Sequence, residues 1–247
     1  MKVTLIDGTG FGSPNPSRYA ANMIAYTRST RLNMSPGLLA EIQAKEDYEV
    51  LKELELAAGT IPSSWEFVQF TFVIEKVTRA FTHQLVRTRH ASYAQQAMRI
   101  VEMKDFEYAT GPTLTGHYKG MYEDTMKKIA ETYEFLVDTE GVAAEDARGL
   151  LPTNILTNIC MHINMRNFVN LTRKRVSKRV QDEYRNVLDA SIMEVEKVYP
   201  WFYLFYKNDG FKARVDLQNM IYDNKKLSSE EKVDMVKKLD IIGGQEL

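Results

Sequence analysis

Residues 68–75 constrain this chain more than any other stretch. Val68, Phe70, Phe72 and Ile74 alternate with Gln69, Thr71, Val73 and Glu75, the period-two pattern of a strand with one buried face. Such a strand must pair sideways and be covered on its apolar side. The covering layer is helical: residues 17–30, 118–137 and 181–199 read as helices, and the middle one sets Met121, Ile129, Tyr133 and Leu136 against Glu123, Asp124, Lys127, Lys128 and Glu131. Helices and strands follow one another without regular βαβ alternation. The predicted fold class is therefore α+β, a mixed sheet with long helices, in one domain over residues 1–247.

Local signals fill in the rest. Residues 2–6 read as a strand, and 7–16, with three glycines and two prolines, as a loop. Ser35-Pro36 predicts a helix start, with the helix running to about Ala57 and Gly59 ending it. Residues 78–87 read as a helix, 95–101 as a returning strand, 142–150 as a short helix and 154–163 as a strand. Asn164 is placed to cap a helix over 165–175. Ser228 and Glu231 form a capping box in a helical tail, 203–247.

Bulk composition excludes several classes. At 247 residues and 44% hydrophobic content the chain can bury a sizeable core. The net charge of −1 gives no global field for nucleic acid or membrane. Cys160 is the single cysteine, which fits a reducing, cytoplasmic setting, and the four histidines lack metal-ligand spacing. We expect no metal, no signal peptide and no membrane span. Neither a G-x-G-x-x-G run nor a P-loop is present.

Residues 78–99 carry the chemistry. Arg87, Arg89 and Arg99 stand with His83, His90, Gln84, Gln95 and Gln96, and the nearest acids are Glu75 and Glu102. Guanidinium groups bind phosphate oxygens two-pronged, and glutamine amides can read a base edge. The plainer reading is a solvated basic helix face. A second polar stretch sets Asn164, Arg166, Asn167, Asn170 and Arg175 within apolar sequence. At 100° per residue, Arg166 and Asn170 share one side of a helix while Asn164 and Arg175 share roughly the opposite one. One helix would then serve two pockets, which predicts sites at subunit interfaces.

The run Arg79-Ala-Phe-Thr-His-Gln-Leu-Val-Arg-Thr-Arg-His-Ala-Ser-Tyr-Ala-Gln-Gln-Ala-Met-Arg99 closely resembles the signature of flavin-dependent thymidylate synthases, S-R-A-x-x-H-Q-L-V-R-H-R-x-A-S-Y-S-Q-Q-S-x-R. Ala147-Arg-Gly-Leu-Leu-Pro-Thr-Asn154 and the 164–175 segment resemble that family's later motifs. Together the matching regions span about residues 60–202. The resemblance implies a homotetramer with interfacial active sites, FAD as cofactor, NADPH as reductant, and methylenetetrahydrofolate as donor of a one-carbon unit to C5 of dUMP. It assigns Arg99 and Arg175 the catalytic part, polarising the pyrimidine. It implies nucleotide binding by Gln84, Arg87, Gln95, Gln96, Ala97, Met98, Arg99, Arg148 and Arg175. It implies flavin binding by Glu66, Arg87, Thr88, Arg89, His90, Asn164, Arg166, Asn170 and Arg179. Thr27, Arg28, Ser29 and Arg31 are further loop candidates.

The chain departs from the family pattern at Thr88 (for His), Ala94 and Ala97 (for Ser), and at Ile61 and Phe67 (for the two histidines flanking Glu66). These departures leave open a hydroxymethyl-forming or dCMP-acting variant, and a non-catalytic flavin- or nucleotide-binding paralogue. A basic patch of Arg173, Lys174, Arg175, Lys178 and Arg179 is the only sign of a nucleic-acid module, and it lacks interleaved aromatics.

Overall fold

The structure is a computed structural model, and it describes residues 1–175, 181–206, 217 and 220–244. Strand β1 is Lys2–Gly8, followed by helices α1 (Pro16–Ser29), α2 (Leu38–Ala44) and α3 (Asp47–Thr60). A 3-10 turn, Pro62–Phe67, leads into β2 (Gln69–Thr78), α4 (Arg79–Leu85) and β3 (Ala91–Gln95). Helix α5 (Gly116–Glu134) ends in a π-turn, Phe135–Thr139, and is followed by α6 (Ala144–Ala147) and a 3-10 turn, Arg148–Leu150. The chain then forms β4 (Leu156–Asn164), α7 (Met165–Arg175), α8 (Asp182–Val198), α9 (Tyr203–Tyr206) and α10 (Ser229–Gly244).

The four strands form a sheet in the order β1-β2-β4-β3. Contacts fix the register of two pairings. Lys2 meets Glu75 while the Thr9 amide donates to the Gln69 carbonyl, and Met165 N donates to Val68 O while Lys76 N donates to Asn158 Oδ1. Both pairings are antiparallel, where we expected a mixed sheet. The alternation at 68–75 holds, with Val68, Phe70, Phe72 and Ile74 all fully buried.

The chain divides into two compact units, residues 1–4 with 72–162, and residues 5–71 with 163–247. In the first, Val77, Phe81, Leu85, Ile155, Ile159 and Met161 are buried. In the second, Phe70, Phe168, Tyr199 and Phe202 form an aromatic cluster with ring centres 5.5–5.9 Å apart, and Trp65 meets Phe205 edge-on.

Several boundaries differ from the sequence expectation. The helix begun at Ser35-Pro36 is two helices, broken at Lys45 and restarted by a capping box in which Glu46 and Glu49 serve each other's backbone. The expected strand at 95–101 lies earlier, at 91–95, and residues 97–101 form a turn onto the Ala97 carbonyl. Helix α5 buries Met126 and Tyr133 but leaves Met121 56% and Tyr118 70% exposed. Among the described residues no helix is long and apolar enough to cross a membrane.

Candidate functional site

The first unit holds the arginine-rich group. Thr78 caps α4 by accepting from Phe81 N at 3.1 Å, and the amides of Arg79 and Ala80 donate to the carbonyls of Ile155 and Thr153. The free amides of the first turn of α4 are thereby satisfied by the loop entering β4. Phe81, Thr82 and Leu85 anchor the helix in the core. Gln84 stays half-buried, and Val86–His90 turn outward, leaving Arg87, Arg89 and His90 exposed and Thr88 half-buried.

Strand β3 then returns. The Gln95 amide nitrogen donates to the hydroxyls of Thr82 (3.1 Å) and Thr157 (3.3 Å), which leaves its carbonyl oxygen as the end available to a base. Gln96, Ala97 and Arg99 are exposed, and Met98 is half-buried.

Arg79 matches the motif, yet the sequence assigned it no role. Its guanidinium donates to the Gln96 carbonyl at 2.8 Å, and its Nε is buried without a partner. Burial, and then the nearby charge of Arg148, hold its pKa below the ordinary arginine value. Arg148 is exposed and donates from Nε to the Glu145 carbonyl at 3.1 Å. Among the described residues, Arg79, Arg87, Arg89, Arg99 and Arg148 form no ion pair with a carboxylate. Two like charges left close together without an acid form an arrangement that an oxyanion stabilises. The signal for Arg79 was its place at the head of the motif, but its proximity to Arg148 depends on the α4–β4 contact, which no local pattern encodes.

The second unit holds the other group. Met165 N donates to Val68 O at 2.7 Å, and Asn164 Oδ1 accepts from Asn167 N at 2.9 Å. Asn164 is thus the expected cap of α7, although it also ends β4. Met165, Phe168, Val169 and Thr172 are buried, while Arg166, Asn167, Asn170 and Arg173 stay partly exposed. Arg166 pairs with Glu66 at 2.5 Å, with the two side chains 41% and 43% exposed. Phe67, where the family pattern has histidine, is 55% exposed.

Arg173 turns inward, donates to the Phe205 carbonyl at 2.8 Å, and has its pKa lowered by burial. It is therefore lost to the basic patch that suggested nucleic acid. Arg175 is described for its backbone alone, and Arg179 and Lys178 lie outside the described residues. Of the expected loop candidates, Thr27, Arg28 and Ser29 lie in α1 instead: Arg28 is neutralised by Glu53, which Lys45 also contacts at 2.7 Å, whereas Arg31, beyond the helix, donates to Ser63 Oγ. Thr27 bonds back to the Met23 carbonyl, and Ser29 closes α1. Among the described residues no group of three or more His, Cys, Asp or Glu side chains is placed to hold a metal.

The α+β scaffold thus displays guanidiniums that, among the described residues, pair with no carboxylate, beside amide groups, an arrangement suited to oxyanions. Comparison with known proteins narrows the class. The model of the family described as thymidylate synthase complementing protein matches residues 5–201, reaching well upstream of the motifs. The chain is 32% identical over 220 residues to the flavin-dependent thymidylate synthase of Clostridium tetani, covering 81% of this chain and 84% of that one. It is 33% identical over 192 residues to that of Nitratidesulfovibrio vulgaris, covering 74% and 78%. A crystal structure of the flavin-dependent thymidylate synthase of Helicobacter pylori, complexed with FAD and dUMP, shares the fold with a TM-score of 0.63. It is 17% identical and covers 84% of this chain and 99% of that one. This chain belongs to the thymidylate synthase complementing protein family.

Proposed function

We propose that this protein is an FAD-dependent enzyme that transfers the one-carbon unit of methylenetetrahydrofolate to C5 of dUMP, giving dTMP, with NADPH as reductant. The observation that carries the reading is the set of guanidiniums in the family's motifs, Arg79, Arg87, Arg89, Arg99 and Arg148, none paired with a carboxylate among the described residues and with Arg148 near enough to Arg79 to lower its pKa, a seat for the phosphate of a nucleotide. Gln84, Gln95 through its carbonyl, Gln96, Ala97 and Met98 line the nucleotide. Arg99 and Arg175 stabilise negative charge that develops on the pyrimidine ring.

The donor set fits FAD. Arg87 and Arg89 are exposed, pair with no carboxylate among the described residues and suit a pyrophosphate, with Thr88 and His90 between and beside them. Arg166, steadied by Glu66, and Asn164, Asn170 and Arg179 supply donors for the acceptor atoms of a flavin ring. When bound, FAD supplies the hydride that completes the methyl group. The chain's own groups bind, orient and balance charge, which explains why no activated nucleophile is needed.

Support for a homotetramer with sites at subunit interfaces comes from α5, whose Tyr118 and Met121 remain uncovered within one chain. We place the protein in the cytoplasm. The exposed Ala97 and Phe67, each standing for a polar family residue, favour as second reading a variant with a hydroxymethyl product or with dCMP as substrate.

The direct test of the site is titration of FAD-loaded protein with dUMP and, separately, dCMP, followed by flavin absorbance. We expect saturable dUMP binding that Arg148→Gln weakens by about tenfold or more. Preference for dCMP would favour the second reading, and absence of any nucleotide response would contradict both.

A further inference from the structure

The turn that displays Arg87 and Arg89 is held by a residue with no ligand role assigned to it. Helix α4 ends without the usual stop: residues 86–90 contain neither glycine nor proline, and none of them adopts a left-handed backbone. The local bonds are those of a loosening helix, Val86 N to Thr82 O at 3.0 Å, Arg87 N to Gln84 O at 3.3 Å and Thr88 N to Leu85 O at 3.0 Å. The Tyr93 hydroxyl, reaching across from β3, lies 3.0 Å from the Leu85 carbonyl and 3.0 Å from the Thr88 carbonyl. These two carbonyls bracket Val86 and Arg87. A phenol has one proton, so a single O–H serves both ends of the turn.

The strand is itself fixed in register. Tyr93 and Gln95 share the inward side of β3, while Ser92 and Ala94 face out. Gln95 bonds Thr82 on α4 and Thr157 on β4. Strand β3 therefore grips α4 at Thr82 and again at Leu85, three residues and nearly one turn apart.

We propose that Tyr93 is a positioning residue: its hydroxyl sets where the Arg87-Thr88-Arg89 turn projects its guanidiniums, and so sets the affinity of the anionic ligand they hold. The inference rests on the reading that Arg87 and Arg89 hold FAD phosphates.

Tyr93→Phe keeps the ring and removes only the hydroxyl. FAD dissociation constants, read by flavin fluorescence on apo-protein, and melting temperatures are to be measured for the parent, Tyr93→Phe, Arg87→Ala and the double variant. We expect Tyr93→Phe to weaken FAD binding about five- to tenfold, with a melting temperature within about 4 °C of the parent. In the Arg87→Ala background the same change should cost clearly less than in the parent, because only Arg89 is then left for the turn to position. Three results would overturn the proposal: a lower melting temperature with FAD affinity unchanged, equal losses in both backgrounds, or a loss in Arg87→Ala with none in Tyr93→Phe. If Arg87→Ala binds FAD as tightly as the parent, the underlying reading of the turn fails first and takes this inference with it.

Discussion

Arg79 and Arg148 make opposite demands on stability and on binding. Burial and the nearby charge of Arg148 both disfavour the charged form of Arg79, and a bound phosphate would relieve the repulsion. Arg148→Gln should therefore melt at the parent temperature or slightly above while binding dUMP about tenfold more weakly. Inorganic phosphate should raise the melting temperature of the parent more than that of the variant. A variant that loses stability and keeps its dUMP affinity would contradict the assignment. The sequence displayed every guanidinium of this group. It could not show which two come together, because that depends on the Thr153 and Ile155 carbonyls docking the start of α4. Gln95 shows the same limit: its residue type suggested base reading, and only the fold reveals that both amide hydrogens are engaged by threonine hydroxyls. Lys76 is a further residue-scale case. It holds φ +55°, a conformation glycine adopts freely, and its ion pair with Glu107 is exposed. Lys76→Gly should leave stability unchanged or raise it by about 1 kcal/mol, read by chemical denaturation.

At the scale of elements, α7 shows what was legible. An asparagine preceding a run with buried positions at helical spacing predicts a cap, and Asn164 is that cap. The cap uses its oxygen and leaves its amide hydrogens for a ligand, so two substitutions separate the roles. Asn164→Ala should cost about 1 kcal/mol of stability and also weaken FAD binding. Asn164→Asp keeps the accepting oxygen, so it should hold the parent's melting temperature while losing FAD affinity. If Asp binds FAD like the parent, Asn164 is structural alone. The 3-10 turn at 62–67 was illegible because distant partners set it: the Trp65 indole donates to the Ala57 carbonyl at 3.1 Å and its ring packs on Phe205. The 91–95 strand was missed in favour of 95–101 because Ile100 and Val101 are β-branched. Both residues are exposed in the turn beyond it, so local propensity was overridden by tertiary pairing.

At the scale of the whole molecule, class was readable and assembly was not. The α+β class followed from one alternating strand among helical segments. The antiparallel pairing did not, since periodicity does not encode direction. Tyr199 illustrates long-range closure. Its hydroxyl donates to the Thr9 carbonyl at 3.0 Å, and a Cβ at Gly8 would run into that hydroxyl. Burial, and then the charge of Asp7, raise its pKa above the ordinary tyrosine value. The unfolded chain ionises this group near pH ~10, so its contribution is whole below that pH and is lost as pH climbs towards the folded value. Tyr199→Phe should thus lose less stability than the parent as pH rises above about 10 in denaturation curves. For assembly, light scattering after size exclusion should give four times the 28.4 kDa chain mass; a monomer that binds FAD and turns over would contradict interfacial sites.

The mass of the nucleotide product decides whether dUMP is methylated. Protein supplied with FAD, NADPH, methylenetetrahydrofolate and dUMP should yield a nucleotide heavier by one methyl group, with no product when FAD is withheld. A hydroxymethyl gain, product from dCMP alone, or no product from protein that holds its flavin would contradict dUMP methylation.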